Sequence, residues 1–430
     1  MRAPRSIAVT GIGSVSPLGV GTRAFIEGLR AGRSAVRPFD GDTHNIDVHT
    51  LADCPDFDPA SVMSHADIKR VPRLIPMALA AAHEALDHAR LDLHASQEDV
   101  ARSCALLLGT GGGGIDFTLD QAQTAYAEGA DRLRKQPSLW TITNATHGNL
   151  SGELSIRLGA RGPSLCVSTG CASSSDAIAH ARDLLLSDRP GSPAIAIVIG
   201  ADAHVRWETL HGMDMLGCIT NRRDDPASAS RPFDVSRDGF VLGEGAWALV
   251  LETHDSARAR EALPIGEIIG AGATCDAFHR VRPDPTMREC ARAIRHAIED
   301  AAIEPTDVDL VQYHGTATKL NDELETIALR AAFEDHADRL RGSSIKSMIG
   351  HPQGACGSAS VVAMLGALSH DEPFIPPTIN LREQDPACDL DCTPNEAAPI
   401  DADRAHVTLV NCLAFGAKNS ALLLRTPARR

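Results

Sequence analysis

Residues 164–188 read SLCVSTGCASSSDAIAHARDLLLSD. The apolar run Leu165-Cys166-Val167 has strand character and Gly170 supplies a turn; beyond it Ala177, Ile178, Ala181, Leu184 and Leu185 recur on one face of a helix. A strand, a tight turn and a helix make the basic unit of an α/β protein, and here they set Cys171 at or near a helix N-terminus. Unsatisfied N–H groups and the positive end of the dipole are expected to favour the thiolate there, the nucleophilic form of cysteine. Taken by itself, Cys171 reads as readily as a small buried hydrophobe, the commonest state of a free cysteine.

The same unit recurs outward in both directions. Short runs rich in Val, Ile and Leu, each read as ending in a glycine turn or a polar break, are SIAVTGIG, CALLLGTGGGG, AIAIVIGADA, WALVLE, GEIIGAGAT, DLVQYHGTAT, HVTLVNCLAFG and SALLL. Alanine-rich amphipathic stretches lie between them, among them 72–91 (PRLIPMALAAAHEALDHARL) and 287–303 (MRECARAIRHAIEDAAI). This alternation predicts an α/β fold with buried sheets. At 430 residues the chain exceeds what one core serves, and it divides near residue 255 into units 1–255 and 256–430. Each unit has a turn running into an alanine-rich helix, VSTGCASSSDAIAHA in the first and MIGHPQGACGSASVVAMLGAL in the second. The repeat is weak, but it predicts two similar halves facing one site.

Composition narrows the function. Hydrophobic residues at 43% and charged residues at 23% describe a globular enzyme-sized protein. A formal charge of -15 opposes nucleic-acid binding, which needs clustered Lys and Arg. No apolar run approaches the roughly 20 residues of a membrane span, and the opening MRAPRSIAVTGIG does not read as a cleaved leader. Eleven scattered cysteines suit reduced thiols and a cytoplasmic protein. Cys388 and Cys392 come closest to a metal pair, without a second pair at suitable spacing, so no metal is expected.

Three further constellations carry chemistry. His314 ends the run DLVQYH, at a strand end where α/β sites collect, and Thr316 and Thr318 follow in the next turn. Alone, a histidine such as His314 is more often a satisfied core residue. In SSIKSMIGHP, Lys346 reads as a lysine within an apolar strand, which needs a carboxylate partner; Glu325 is the candidate. His351 follows. The turn 411–419, NCLAFGAKN, presents backbone N–H groups and includes Phe415 and Asn419.

Together these motifs resemble the beta-ketoacyl synthase family, in its elongating branch with a Cys-His-His set. The resemblance runs nearly end to end, through VTGIGSVSPLG, RGPSLCVSTGCASS, RPFDVSRDGFVLGEGA, YHGTATKLNDELET, SSIKSMIGHPQGACG and PPTINL. It implies a thiolase-like layered αβαβα fold of two similar halves. Cys171 is then the acyl-accepting nucleophile, and His314 and His351 support malonyl decarboxylation and condensation. Lys346 and Glu325 match a charged pair that organises the histidines. Phe415 matches a gatekeeper whose backbone N–H joins that of Cys171 in an oxyanion hole, and Thr316 and Thr318 match positions that hold a pantetheine arm; Asn419 is also expected in substrate binding.

The resemblance further implies acyl and malonyl thioesters as substrates, acyl carrier protein as partner, no cofactor, and a homodimer. Lys69, Arg70 and Arg73 are expected to receive the acidic carrier. Two departures stand out. AFGAKN has Ala414, Ala417 and Lys418 where the family has a glycine-rich GFGGTN, and Gly112 stands where it often has a bulky side chain, so an extended acyl pocket is expected at Gly112. The stretch HVRWETLHGMDMLGCITN looks shorter than its counterpart, and no residue is transferred there. A polyketide or polyene ketosynthase is the alternative reading, and a non-catalytic chain-length-factor subunit a remote one, disfavoured by the retained cysteine and histidines.

Overall fold

The computed structural model describes residues 6–41, 46–95, 98–126 and 136–428; residues 1–5, part of the opening read against a leader, lie outside these. The apolar runs become strands β1 (Ile7–Ser16), β2 (Cys104–Gly109), β3 (Ser164–Val167), β4 (Ile195–Asp202) and β5 (Gly245–Glu252), then β6 (Gly266–Cys275), β7 (Leu310–Gln312), β8 (Arg341–Ser343), β9 (His406–Ala414) and β10 (Lys418–Thr426). Of these ten, β8 alone has no apolar run behind it; three residues of polar and small type are drawn into the sheet by parallel pairing with β7.

Strand order is β3-β2-β4-β5-β1 in the first half and β8-β7-β9-β10-β6 in the second. The two orders are the same once each half is numbered from its own first strand. In each, two parallel pairings are followed by two antiparallel ones. The halves join where β1 and β6 run antiparallel, Ile7 opposite Ile268.

Seven helices matter for the site: α1 (Leu74–His88), α2 (His147–Leu158), α3 (Ser173–Leu185), α4 (Arg288–Ala301), α5 (Lys319–Phe333), α6 (Lys346–Ile349) and α7 (Cys356–Leu368). α1 and α2 cover one face of the first half of the sheet, α4 covers one face of the second half with α5 against it, and α3 and α7 pack on each other between the two halves. This is the layered αβαβα arrangement with two similar halves. α7 is apolar nearly all round, and every residue in it but Gly366 is buried, as a helix enclosed on all sides requires. Each Leu, Val or Met so enclosed contributes about 1.5–3 kcal/mol.

Glycines read as turns at the ends of SIAVTGIG and GEIIGAGAT lie instead inside β1 and β6. A Cβ on Gly11 or Gly13 would meet the Ala85 or Ala81 carbonyl at 2.0 or 2.1 Å, and one on Gly270 or Gly272 the Ala297 or Ala293 carbonyl at 2.3 or 2.1 Å. Both halves thus use a Gly-x-Gly strand to let an alanine-rich helix lie against the sheet. The layering leaves the turns before α3 and α7, which carry Cys171 and His351, side by side in the centre.

Candidate active site

Cys171 stands one residue before Ala172, the N-cap of α3. The turn is made by Gly170 at φ +67° and tied down by Ser173, whose Oγ accepts from the Thr169 N–H at 2.9 Å and donates to the Gly170 carbonyl. Opposite, His351 Nε2 lies 3.2 Å from Cys171 Sγ. Its backbone is fixed by the motif at 231–246: the His351 N–H donates to Val241 at 2.7 Å and the Gly243 N–H donates back to the His351 carbonyl. The rings of His314 and Phe240 stand edge-on to His351, with centroids 5.3 and 5.2 Å away. Cys171, His314 and His351 are all buried.

Glu325 on α5 sets the position of His314. Its carboxylate accepts the backbone N–H groups of His314 and Gly315, both at 2.8 Å, and the Asn411 amide at 2.7 Å. The expected Lys346–Glu325 ion pair is not formed, because those donors occupy Glu325. Lys346 is not in a strand either: β8 ends at Ser343 and Lys346 opens the short α6, buried. Its ammonium acts through space on the other groups.

Burial pushes the Cys171 thiol up to about 12, against the lowering pull of Lys346. Burial first, and Lys346 second, hold His314 and His351 well below the ordinary histidine value. Near neutral pH the resting set is therefore a neutral thiol beside two neutral imidazoles. The expected pull of the helix terminus toward the thiolate of Cys171 is outweighed here by burial. A helix dipole is worth at most about 2 kcal/mol, whereas desolvating a charge costs several.

A pocket of about 350 Å³ reaches Cys171, His314 and His351. Thr316 and Thr318 line it, their hydroxyls 3.1 Å apart, with Thr318 also capping α5. Phe415 lines it too, and its backbone N–H pulls the Cys171 thiol down slightly against burial. Leu216, Gly217 and Cys218, from the stretch where no residue was transferred, complete one wall. Among the described residues two donor sets lie within 4.8 Å, Cys171/His314/His351 and His314/Cys356/Cys412, but their thiols are pushed toward the neutral form or already hydrogen-bonded.

Comparison with known proteins bears on this arrangement. Residues 4–257 match the model of the beta-ketoacyl synthase N-terminal domain, and residues 265–382 that of its C-terminal domain. The chain belongs to the beta-ketoacyl synthase family. It is 35% identical to 3-oxoacyl-[acyl-carrier-protein] synthase 2 of Synechocystis, covering 98% of each chain. Identity is 38% to the oxytetracycline polyketide putative beta-ketoacyl synthase 1 of Streptomyces rimosus, over 99% of this chain and 98% of that one. Among solved structures it superposes on the ishigamide ketosynthase/chain length factor with a TM-score of 0.85 at 33% identity, covering 99% of this chain and all of that one.

Some residues expected in the site of this synthase lie elsewhere. Gly112 does not line the pocket: a Cβ there would meet the His204 ring at 2.4–2.9 Å, so the space left by the missing side chain is filled by His204. Asn419 lies in β10 with its amide on Asp276 at 2.6 Å and on Thr274, joining the strand to the segment after β6, and is not among the residues that line the pocket. Arg73, its side chain 35% exposed, is held by the buried Glu244 at 2.8 Å and by the Cys54 carbonyl, while Lys69 and Arg70 are exposed. Ala417 takes φ +63°, the left-handed backbone that a glycine would adopt without strain. Sequence reading missed Asn411 as the partner of Glu325, and Phe240 against His351. Asn411 had been quoted only for its turn, and Phe240 lay in a motif matched without a role.

Proposed function

We propose that this synthase catalyses the decarboxylative Claisen condensation of a Cys171-bound acyl chain with malonyl-acyl-carrier-protein, giving a 3-oxoacyl-acyl-carrier-protein. The observation that carries this reading is the 3.2 Å contact between Cys171 Sγ and His351 Nε2, with His314 beside it at the pocket.

In the first half-reaction, neutral His351 accepts the Cys171 proton as sulfur attacks the incoming acyl thioester, and returns it to the departing carrier thiolate. Parking the acyl group on sulfur divides one difficult step into two. Malonyl thioester then enters by way of Thr316 and Thr318, which hold the pantetheine arm. It loses CO2, and the electron pair left behind forms an enolate whose oxygen accepts N–H bonds from His314 and from His351 in its Nε2–H tautomer, the other neutral form of the ring. Burial, aided by Lys346, keeps both imidazoles neutral. The enolate carbon attacks the acyl carbonyl, and the tetrahedral oxyanion is held by the backbone N–H groups of Cys171 and Phe415. Collapse expels the Cys171 thiolate, which takes up a proton from solvent, since its original proton left with the carrier thiol. The decarboxylation itself supplies the carbanion.

Acyl carrier protein is the partner, received at Lys69 and Arg70. The enzyme works as a homodimer joined along the open edge of β3, where Leu165 is 41% exposed beside Ile156 on α2 at 77%. All eleven cysteines are free and no described helix is long and apolar enough to span a membrane, which supports a cytoplasmic enzyme. The nearly equal identity to a polyketide synthase subunit supports a second reading, in which the same condensation extends a polyketide chain.

Mass spectrometry of the intact protein with acyl-carrier substrates tests the central claim. Cys171→Ala should carry no acyl adduct, and His351→Ala should form it at least about tenfold more slowly, since the buried thiol then lacks its proton acceptor. An adduct persisting on Cys171→Ala would reject the assignment.

A further inference from the structure

Asp202, the last residue of β4, is a fully buried carboxylate outside the set described above. It takes four hydrogen bonds: from Thr110 Oγ1 at 2.6 Å and the Gly112 N–H at 2.9 Å on one oxygen, and from the Gly111 N–H at 2.9 Å and the Gly354 N–H at 2.7 Å on the other. The donors come from two turns in opposite halves of the chain. Gly354 lies three residues beyond His351, across Gln353, which is held at φ +48°. Residues 110–112 follow β2, and the Thr110 carbonyl accepts from Ser173 Oγ at 3.1 Å, the same hydroxyl that ties down the Cys171 turn. The fit leaves no slack, since a Cβ on Gly354 would meet the Gly111 nitrogen at 2.3 Å. His204 Nδ1 lies 3.4 Å from the carboxylate and its ring closes the outer side over Gly112.

We propose that Asp202 is a positioning residue for the condensation: its carboxylate holds the turn that bears His351 in register with the turn that bears Cys171, and so sets the sulfur-to-imidazole contact. The proposal rests on the roles given to Cys171 and His351. A carboxylate suits this place because both oxygens only accept; an amide would turn an NH2 group toward backbone N–H donors in either orientation. A misplacement of 1 Å in such a contact can cost on the order of a hundredfold in rate.

The test is a double-mutant cycle read by the rate at which iodoacetamide alkylates Cys171, with the label located by peptide mass, and by CO2 release from malonyl-carrier substrate. Asp202→Asn should slow both by roughly tenfold, with kcat falling and KM for the carrier substrate little changed. In the His351→Ala background the same substitution should cost nothing further, because its effect passes through His351. Losses that multiply, or a folded Asp202→Asn protein reacting at the wild-type rate, would overturn the proposal. Should Asp202→Asn not fold, Thr110→Val removes one of the four bonds and should give a smaller loss that also vanishes in the His351→Ala background; a wild-type rate there, or a loss that persists, would overturn it equally. A label found on a residue other than Cys171 would sink the reading of the nucleophile, and the proposal with it.

Discussion

Burial drives the groups of this site toward their neutral forms. It raises Cys171 to about 12, lowers both histidines and lifts Glu325 to about 7, although three N–H donors favour the Glu325 carboxylate. Cys171, His314 and His351 were legible because motif letters identify them; their charge states were not, because desolvation depends on what the fold packs around them. Glu325 offers a direct test. Its folded value lies above the ordinary 4.5, so the native state binds this proton more tightly than the unfolded chain does. The resulting stabilisation is full below about pH 4.5 and is lost as pH rises through about 7, by up to about 3 kcal/mol. Glu325→Gln removes the titration. The melting temperature of the wild type should therefore fall relative to the variant between about pH 5 and 8, beyond any constant offset from the altered hydrogen bonds. Parallel curves of melting temperature against pH would show that Glu325 is not protonated in this range.

Single elements were legible where apolar periodicity carried them and illegible where contacts decided. The nine apolar runs became strands, and the alanine-rich stretches became α1, α3, α4 and α7. β8 escaped notice because pairing, not composition, makes it a strand, and Lys346 was misplaced because SSIKSMIG carries no period that separates a short helix from a strand. Glycines were the hardest to read. The letter is the same for a turn, for the close approach of α1 to Gly11 and Gly13, and for the space at Gly112 that His204 occupies from another segment. Gly112→Phe follows from this. Because the new side chain would strike His204 rather than close a channel, activity should fall for short and long acyl chains alike, and stability should drop by about 1–3 kcal/mol through overpacking. Rates against a series of acyl lengths, taken with thermal melts, measure both. A loss confined to long chains at unchanged melting temperature would restore Gly112 to the acyl pocket.

Across the whole molecule, the sheet that joins the two halves through β1 and β6 ends in two unequal edges. At β8 the edge is covered, since Arg341 forms a bridge with Asp391. At β3 no described strand pairs with it: Ser164 and Leu165 are exposed, α2 beside it presents Ile156, and the short helix Thr141–Ala145 packed on α2 presents Ile142, 75% exposed. Unpaired N–H and C=O groups flanked by apolar side chains form a template for another strand, and single chains usually blunt such an edge with charge or proline. Neither stands within β3. A second copy meeting it across a twofold axis would continue the sheet from one chain into the other and cover the apolar neighbours at once. Leu165→Lys places a charge at the centre of that seam while leaving the chain's own pairing to β2 intact. The wild type should therefore sediment as a dimer at micromolar concentration and the variant as a folded monomer, with an unchanged far-ultraviolet circular dichroism spectrum. A wild-type monomer, or a variant that stays dimeric, would move the interface away from β3.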